Sequence, residues 1–467
     1  MKNNFDVAII GGGISGCALA FILSKYTDIN SIAVVEKYER VASLSSSASN
    51  NSQTIHRGEI ETNYTLDKAA KVKARADMIV KYCLDRNLQN DTIFEMQKMA
   101  IGIGDEEVAF IRKRTEEFKS LYPEMEIFEK DELRDIEPGL VFTGDASSSH
   151  INENSLSGWA DKMKAKESHI RSEKIVGAGI RKSYCAINYQ KLAENLIKDA
   201  QGISDKNVEL HLNSQVKNII KDNSGYILET KNGEIRAKFV LVNAGAHSLF
   251  LANQMGYGKE YSVFPVAGSF YFASSKPVLR GKVYTVQNPK LPFAAIHGDP
   301  DVVTGKTRFG PTALVLPKLE RYKPGTYLDF FKSLNYNLDV AKVHASFFFD
   351  RDIGPYILKN LAYDFPWGLG RHFYDIEVQK IVPSMSEWDL VYADGFGGVR
   401  PQIIDKKAQR LILGEVAIKT GKGITFNMTP SPGATSCLGN AIEDAKEIME
   451  YLGKTLDLAQ ISSELGY

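Results

Sequence analysis

Asp6-Val-Ala-Ile-Ile-Gly11-Gly-Gly13-Ile-Ser-Gly16-Cys-Ala-Leu-Ala20 is an apolar run, a glycine-rich turn and the start of a helix; a second apolar run, Ile32-Ala-Val-Val-Glu36, ends on an acid. Gly11 permits the tight turn, Gly13 lets the backbone approach a pyrophosphate, and Gly16 allows the helix to pack closely on the strand. Phosphates then sit at the helix N-terminus, where unpaired N–H groups and the macrodipole favour negative charge. Glu36 follows Gly16 by 20 residues, where a carboxylate accepts hydrogen bonds from an adenosine ribose. Strand, turn, helix and acid in this order predict a dinucleotide-binding unit. The motif alone does not choose between NAD and FAD; at least two later segments built to touch the same cofactor bear on that choice.

A chain of 467 residues is too long for one ordinary core and suggests two domains. Hydrophobic content of 43% and charged content of 24% describe a normal globular protein. Lys+Arg and Asp+Glu both number 57, which argues against a general nucleic-acid binder. Four cysteines (Cys17, Cys83, Cys185, Cys437) stand far apart, so a reduced compartment and no structural metal are expected. The apolar run from Phe5 carries Asp6 and three glycines, which fits a cofactor-binding strand better than a signal peptide. No uninterrupted apolar stretch is long enough to span a bilayer.

Ser43 to Thr54 is too polar for a core element and reads as a loop. Helical spacing runs from about Leu66 to Arg86, over Glu106–Tyr122 and over Asn188–Ala200, with a strand at Phe94–Ile103. Thr143–Lys174 reads as a polar excursion. Strands follow at Val208–Leu212, Val216–Lys221, Tyr226–Thr230 and Phe239–Asn243, with Asn232-Gly233 as a hairpin turn. Phe264 to Ala313 suggests an antiparallel sheet, Tyr327–Leu361 is helical, and a last helix spans about Ala434–Leu452. The expected architecture is α/β (α+β overall): a Rossmann-like domain from residues 1–80, 175–262 and 391–467, interleaved with an antiparallel-sheet substrate domain from 81–174 and 263–390.

Asn50-Asn-Ser-Gln-Thr-Ile-His56-Arg-Gly58 is a polar loop with one histidine, leaving the cofactor-binding edge of the sheet. Val240-Leu-Val-Asn-Ala-Gly245 ends a buried strand in small residues that allow close approach. Ala295-Ile-His297-Gly-Asp-Pro and Lys306-Thr-Arg308-Phe-Gly-Pro311 place a base and a cation on consecutive extended segments. Oxidation of a hydroxy acid needs that pair: the base takes the hydroxyl proton and the cation holds a carboxylate. Gly395-Phe-Gly397-Gly398-Val-Arg400-Pro-Gln402 adds a flexible turn and a second arginine fork. Gly423-Ile-Thr-Phe-Asn-Met-Thr-Pro-Ser-Pro-Gly433 precedes the last helix, whose positive end can face a flavin.

Together with Glu61-Thr-Asn-Tyr-Thr65 and Gly305-Lys-Thr-Arg-Phe-Gly-Pro-Thr312, these blocks resemble the malate:quinone oxidoreductase family, a shorter bacterial branch, from about Phe5 to Leu452. The chain departs from the longer branch at Ile55, where that branch carries glycine. The resemblance implies non-covalent FAD, a two-domain fold like that of D-amino-acid and 2-hydroxyglutarate oxidases, and a peripheral enzyme on the cytoplasmic face of the inner membrane. It would pass electrons from (S)-malate to a membrane quinone. Expected cofactor contacts are Gly11, Gly13, Ile14, Ser15, Gly16, Glu36 and Lys37; Ser52 and Gln53; Val216; Asn243, Ala244 and Gly245; and Gly433, Ala434 and Thr435. By position, Arg400 matches the carboxylate-gripping arginine of amino-acid-oxidising relatives and His297 a flavin-facing histidine of hydroxy-acid-oxidising ones.

The expected mechanism holds malate's two carboxylates on Arg400 and Arg308, with Gln402 beside them, while His297 or His56 accepts the hydroxyl proton. Another 2-hydroxy acid such as lactate or 2-hydroxyglutarate, an amino acid, or a non-catalytic FAD-binding role are the alternatives. Aromatic residues and cations between Phe347 and Tyr374, with Trp367 and Leu369 among them, suggest a membrane-docking segment, against a plain core reading.

Overall fold

The computed structural model describes residues 4–143, 170–274, 277–287, 295–365, 369–412, 414–429 and 433–467. Its first sheet has five parallel strands in the order Ile424–Met428, Gly233–Val242, Asn4–Ile10, Ser31–Val35 and Asn207–His211. Val416–Lys419 joins antiparallel at one edge, and a hairpin of Val216–Lys221 and Tyr226–Thr230 attaches to Gly233–Val242 through the Asn232-Gly233 turn. The central strands are apolar throughout because both faces are covered. Helices Ile14–Tyr26, Tyr189–Gln201 and Cys437–Leu452 bury Leu19, Phe21, Leu196 and Ile448 in one core against this sheet.

A second, mostly antiparallel sheet runs Leu390–Tyr392, Tyr271–Ala273, Thr307–Gly310, His297–Pro300, Lys282–Thr285, Ile93–Ile103, Ile175–Ile187 and Glu126–Phe128. One pair, Lys282–Thr285 with Ile93–Ile103, is parallel. A third sheet of four strands, Leu314–Val315, Tyr261–Ala267, Val399–Asp405 and Arg410–Ile412, is separate. The expected single antiparallel segment over Phe264–Ala313 is thus divided between two sheets. The strand Ile175–Ile187, placed by sequence on the Rossmann side of a boundary at 174/175, pairs instead within the second sheet. Val399–Asp405, also assigned to the Rossmann side, lies in the third.

The expected helix at Tyr327–Leu361 is three helices, Thr326–Ser333, Leu338–Phe349 and Ile353–Tyr363, followed by Leu369–Ile381. Most of the Thr143–Lys174 excursion lies outside the described residues, as does Trp367. The polar loop ahead of His56 is stitched to the second sheet: Ile55 N donates to Cys185 O (2.9 Å) and Ile187 N donates to Gln53 O (3.0 Å). That seam brings His56 to the face where both sheets meet the first helix.

Candidate active site

One large cavity, of about 730 Å³, lies where these elements converge, within the usual range of about 300–1,000 Å³ for a ligand site. Its cofactor end is built by the glycine turn. Gly11 has φ +108°, and a Cβ there would come within 2.3 Å of Asn243 O; one on Gly16 would come within 1.9 Å of Gly11 O. A Cβ on Gly13 would meet nothing nearer than Ser46 Oγ at 3.4 Å, so the turn is tight behind and open in front. Gly11, Gly13, Ile14, Ser15, Glu36, Lys37, Ser52, Val216, Asn243, Ala244, Gly245, Ala434 and Thr435 all line the cavity.

Glu36 accepts Gly12 N (2.8 Å) and Tyr38 N (2.9 Å), and burial pushes its carboxyl above the ordinary value against those bonds. The buried Nδ2 of Asn243 has no protein partner, a donor left for a ligand. An open helix N-terminus, a carboxylate one strand away and an orphaned amide fit a dinucleotide such as FAD. Lys37 is committed to Glu320 across the cavity. Gly16 and Gly433 are buried and stand behind the wall.

Two expected contacts, Gln53 and Arg308, require correction. Gln53 faces away from the cavity: its Nε2 donates to Ala48 O (3.0 Å) and Asp301 Oδ2 (3.1 Å), and its Oε1 accepts Val302 N (2.9 Å). Arg308 is fully buried, with Nη1 3.2 Å from Asp301 Oδ2 and its guanidinium 4.8 Å over the Phe270 ring. Its three guanidinium nitrogens are buried without a hydrogen-bond partner, but they do not line the cavity and so cannot meet a ligand there; the charge assigned to substrate faces the Asp301 carboxylate at ion-pair distance instead. Arg400 and Gln402 do line it, two residues apart on Val399–Asp405 and so on one strand face. Arg400 forms no ion pair among the described residues, its Nη1 is buried without a partner, and desolvation lowers its pKa.

Both histidines line the cavity, each with a carboxylate at Nδ1: His56 with Glu61 Oε1 at 2.5 Å, His297 with Asp299 Oδ2 at 2.6 Å. Tyr284 stands between them, stacked on His297 (4.4 Å, 19°) and edge-on to His56 (6.3 Å), with its hydroxyl 2.7 Å from Thr54 Oγ1. Register explains the stack, since Tyr284 and His297 are cross-strand neighbours.

The charge around the two pairs differs. Asp299 also has Lys282 Nζ at 3.4 Å and Arg308 nearby; burial raises its pKa, but His297 and these cations outweigh burial and hold it well below the carboxylate range. His297 is pushed down by burial, and the two cations offset part of what Asp299 gives back. Glu61 is also buried, yet its His56 bond, with the Lys98 charge behind it, keeps it low; His56 is its one ion-pair partner among the described residues.

Buried donors hold the His56 loop by its carbonyls. Lys98 Nζ donates to Ile55 O (2.8 Å) and pairs with Glu59 (2.5 Å); Arg114 donates to the carbonyls of Glu59 (2.8 Å), Gly58 (3.0 Å) and Glu61 (2.9 Å). Tyr122 OH donates to Arg57 O at 2.5 Å. Sequence reasoning missed Glu61 and Asp299 as partners. The second was signalled, since His297 and Asp299 at i, i+2 must share a strand face.

A family model described as malate:quinone oxidoreductase matches residues 3–450. The chain is 47% identical over 470 residues to the malate:quinone oxidoreductase of Helicobacter pylori and to a probable one of Helicobacter acinonychis, covering 100% of this chain and 98% of each relative. A probable malate:quinone oxidoreductase of Campylobacter jejuni is 47% identical over 469 residues, 99% of both. Among solved structures, an FAD-bound L-α-glycerophosphate oxidase from Mycoplasma pneumoniae has TM-score 0.63 at 20% identity, covering 98% of this chain and 96% of that one. Glycine oxidase from Geobacillus kaustophilus has TM-score 0.61 at 17% identity over 96% and 95%. At such identities these two show a common fold.

Proposed function

The chain belongs to the malate:quinone oxidoreductase family, and from that premise we propose how its residues oxidise (S)-malate to oxaloacetate with FAD as cofactor and a quinone as final acceptor. The observation that carries the reading is Arg400, a desolvated guanidinium without an acidic partner among the described residues, in the wall of a cavity that also holds two carboxylate-fixed imidazoles. An unpaired buried cation is costly unless a ligand anion completes it. One substrate carboxylate takes the Arg400 fork, and the Gln402 amide beside it adds a donor.

His56 is the base. Glu61 at Nδ1 sets the tautomer with that nitrogen protonated, so Nε2 keeps its lone pair; the Ser52 hydroxyl lies 3.3 Å from it. The malate hydroxyl proton passes to Nε2 as hydride leaves C2, and the imidazolium formed is stabilised by a carboxylate that no lysine or arginine shares at ion-pair distance among the described residues. His297, its Asp299 partly neutralised, is the poorer proton acceptor and serves as a hydrogen-bonding wall with Tyr284. Bound FAD supplies the hydride acceptor. Anaerobic mixing of the yellow protein with malate tests the reading: malate should bleach the flavin, and Arg400→Ala should lose at least about tenfold in kcat/KM with FAD retained. Unchanged kinetics in that variant remove Arg400 from the site.

An apolar acceptor that stays in the bilayer supports a docking site at the membrane surface, which we infer to be the cytoplasmic face. No described helix is long and apolar enough to cross a membrane, so contact would be peripheral. In the expected docking segment, Tyr374 is buried, whereas Phe348, Phe349, Phe365, Leu369 and Phe373 are exposed. The exposed face continues through Ile376, Trp388 and Val391, with Arg371 4.7 Å over the Trp388 ring. Rings and aliphatics beside a cation suit an anionic lipid interface. Ile376→Ser with Trp388→Ser should lose liposome flotation and long-chain quinone reduction while keeping malate bleaching; equal flotation moves the docking face elsewhere.

A further inference from the structure

Malate carries two carboxylates, and the internal pairing of Arg308 leaves Arg400 as one anchor where two were expected. The other basic side chains on the cavity wall are Lys37, Lys68, Arg75 and Lys217. Lys37 is held by Glu320. Arg75 donates to Asn440 Oδ1 at 2.7 Å on the last long helix. Lys217 follows Val216 in the first sheet, beside the expected cofactor contacts. Lys68 is placed differently. It sits in the first turn of the helix Leu66–Asp85, seven residues after Glu61, and forms no ion pair among the described residues. Its ammonium lies 4.1 Å over the Tyr64 ring.

Tyr64, Lys68, Val72 and Arg75 all line the cavity, at spacings that put them on one side of this helix and its entry turn. Glu61, the partner of His56, also lines the cavity, and its carboxylate acts on the Lys68 ammonium. Thr65 caps the helix by accepting Lys68 N, so the side chain leaves a fixed backbone at the positive end of the helix.

We propose that Lys68 anchors the second carboxylate of the substrate and so sets the preference for a dicarboxylic over a monocarboxylic 2-hydroxy acid. The proposal rests on the malate reading above. A point-charge ammonium on a flexible stem, at the rim of the cavity, can meet a carboxylate whose partner is already gripped by the rigid Arg400 fork. The Tyr64 face steadies it in the absence of substrate.

The test uses the FAD-loaded protein and its Lys68→Met, Lys68→Arg and Lys68→Glu variants. A charge-assisted contact of this kind is worth about 10- to 100-fold in affinity. Lys68→Met should raise the malate KM by that factor with FAD content retained, Lys68→Arg should recover most of it, and Lys68→Glu should be worse than Lys68→Met. The inhibition constant of succinate, a dicarboxylate without the hydroxyl, should rise in parallel in Lys68→Met, while that of propionate, with one carboxylate, should not move. Equal shifts for succinate and propionate, or none for either, overturn the assignment. Because Lys68 is exposed, folding is not at stake in these variants. If the unsubstituted protein is not bleached by malate, the function fails first; if it is bleached and Lys68→Met is unchanged, the function stands and the anchor fails.

Discussion

The two imidazole–carboxylate pairs in the cavity are both short, but His56–Glu61 is hydrogen-bonded while His297–Asp299 is in ion-pair contact without hydrogen-bond geometry, and their surroundings differ. His297–Asp299 lies on the second sheet with Lys282 and Arg308 close to the carboxylate; His56–Glu61 lies on a loop, with Lys98 and Arg114 directed to backbone carbonyls and to Glu59. The first carboxylate therefore has a lysine at ion-pair distance and an arginine close by. Glu61 feels Lys98, Arg114 and Lys68 only at longer range and has His56 as its one ion-pair partner among the described residues. Cations decide what a buried carboxylate does here, more than burial itself.

The largest effect expected from that difference is in catalysis. His56→Ala should lower the rate of flavin reduction by malate about 10²- to 10⁴-fold, the usual worth of a positioned base, with FAD retained; His297→Ala should cost about tenfold or less. Stopped-flow bleaching under anaerobic conditions measures both. Equal losses would erase the distinction, and a larger loss at His297 would reverse the roles.

Next come the carboxylates, where rate and stability should separate. Asp299→Asn leaves Lys282 without its one ion-pair partner among the described residues, and an uncompensated buried charge costs about 3–5 kcal/mol. Denaturant unfolding should show that loss. Glu61→Gln should leave the unfolding midpoint nearly unchanged and slow flavin reduction at least about tenfold. Were Asp299→Asn stable and slow, its charge would serve the reaction after all.

A positioning role for Arg114 predicts a smaller change. It touches neither imidazole, but it fixes the carbonyls on either side of Glu59 and that of Glu61. Arg114→Lys can hold fewer of them. Flavin reduction should fall several-fold at unchanged malate KM, because the His56–Glu61 contact loosens. A loss of stability with unchanged flavin reduction would leave Arg114 with packing alone.

These contrasts mark what was legible in the sequence. The cofactor half was, because its signals are local: the Gly11–Gly16 turn, Glu36 and the small residues after Val242 act through their own backbone. The substrate half was not, because its charges are settled by register. Arg308 looked free until the strands paired it across from Asp299 and beside Asp301. Lys98 and Lys282 are adjacent in a parallel pairing, each needing its own acid, and no spacing along the chain announces that. Gln53 lies between two cavity residues and turns inward at a φ of +50°, which a polar-loop reading cannot foresee.

A stability effect tests the same rule away from the cavity, where no change in the reaction is expected. Glu137 and Asp444 are buried carboxylates with no ion pair among the described residues. Glu137 accepts Gln97 Nε2, Arg280 N and Gly281 N; Asp444 accepts both of its bonds from Asn427 Nδ2 (2.9 and 3.1 Å). Burial outweighs these donors and raises each to about 7. A carboxyl raised in the folded state binds a proton that the unfolded chain has already released, so stability falls as pH rises from about 4 through about 7 and levels off above it. For Asp444, shifted from 3.8 to about 7, the full loss is at most about 4 kcal/mol, at roughly 1.4 kcal/mol per pH unit. Asp444→Asn keeps an acceptor for Asn427 and cannot ionise, so its unfolding free energy should decline less between pH 5 and pH 8 and should exceed that of the unsubstituted protein at the upper end. Asp299, held ionised by its cations, contributes in the opposite sense: what it adds is complete above the ordinary carboxylate range and is lost only in acid. Parallel stability curves for Asp444→Asn and the unsubstituted protein over pH 5–8 would show that its neutral donors suffice to keep a buried carboxylate charged, and the rule drawn from the two histidine pairs would fail.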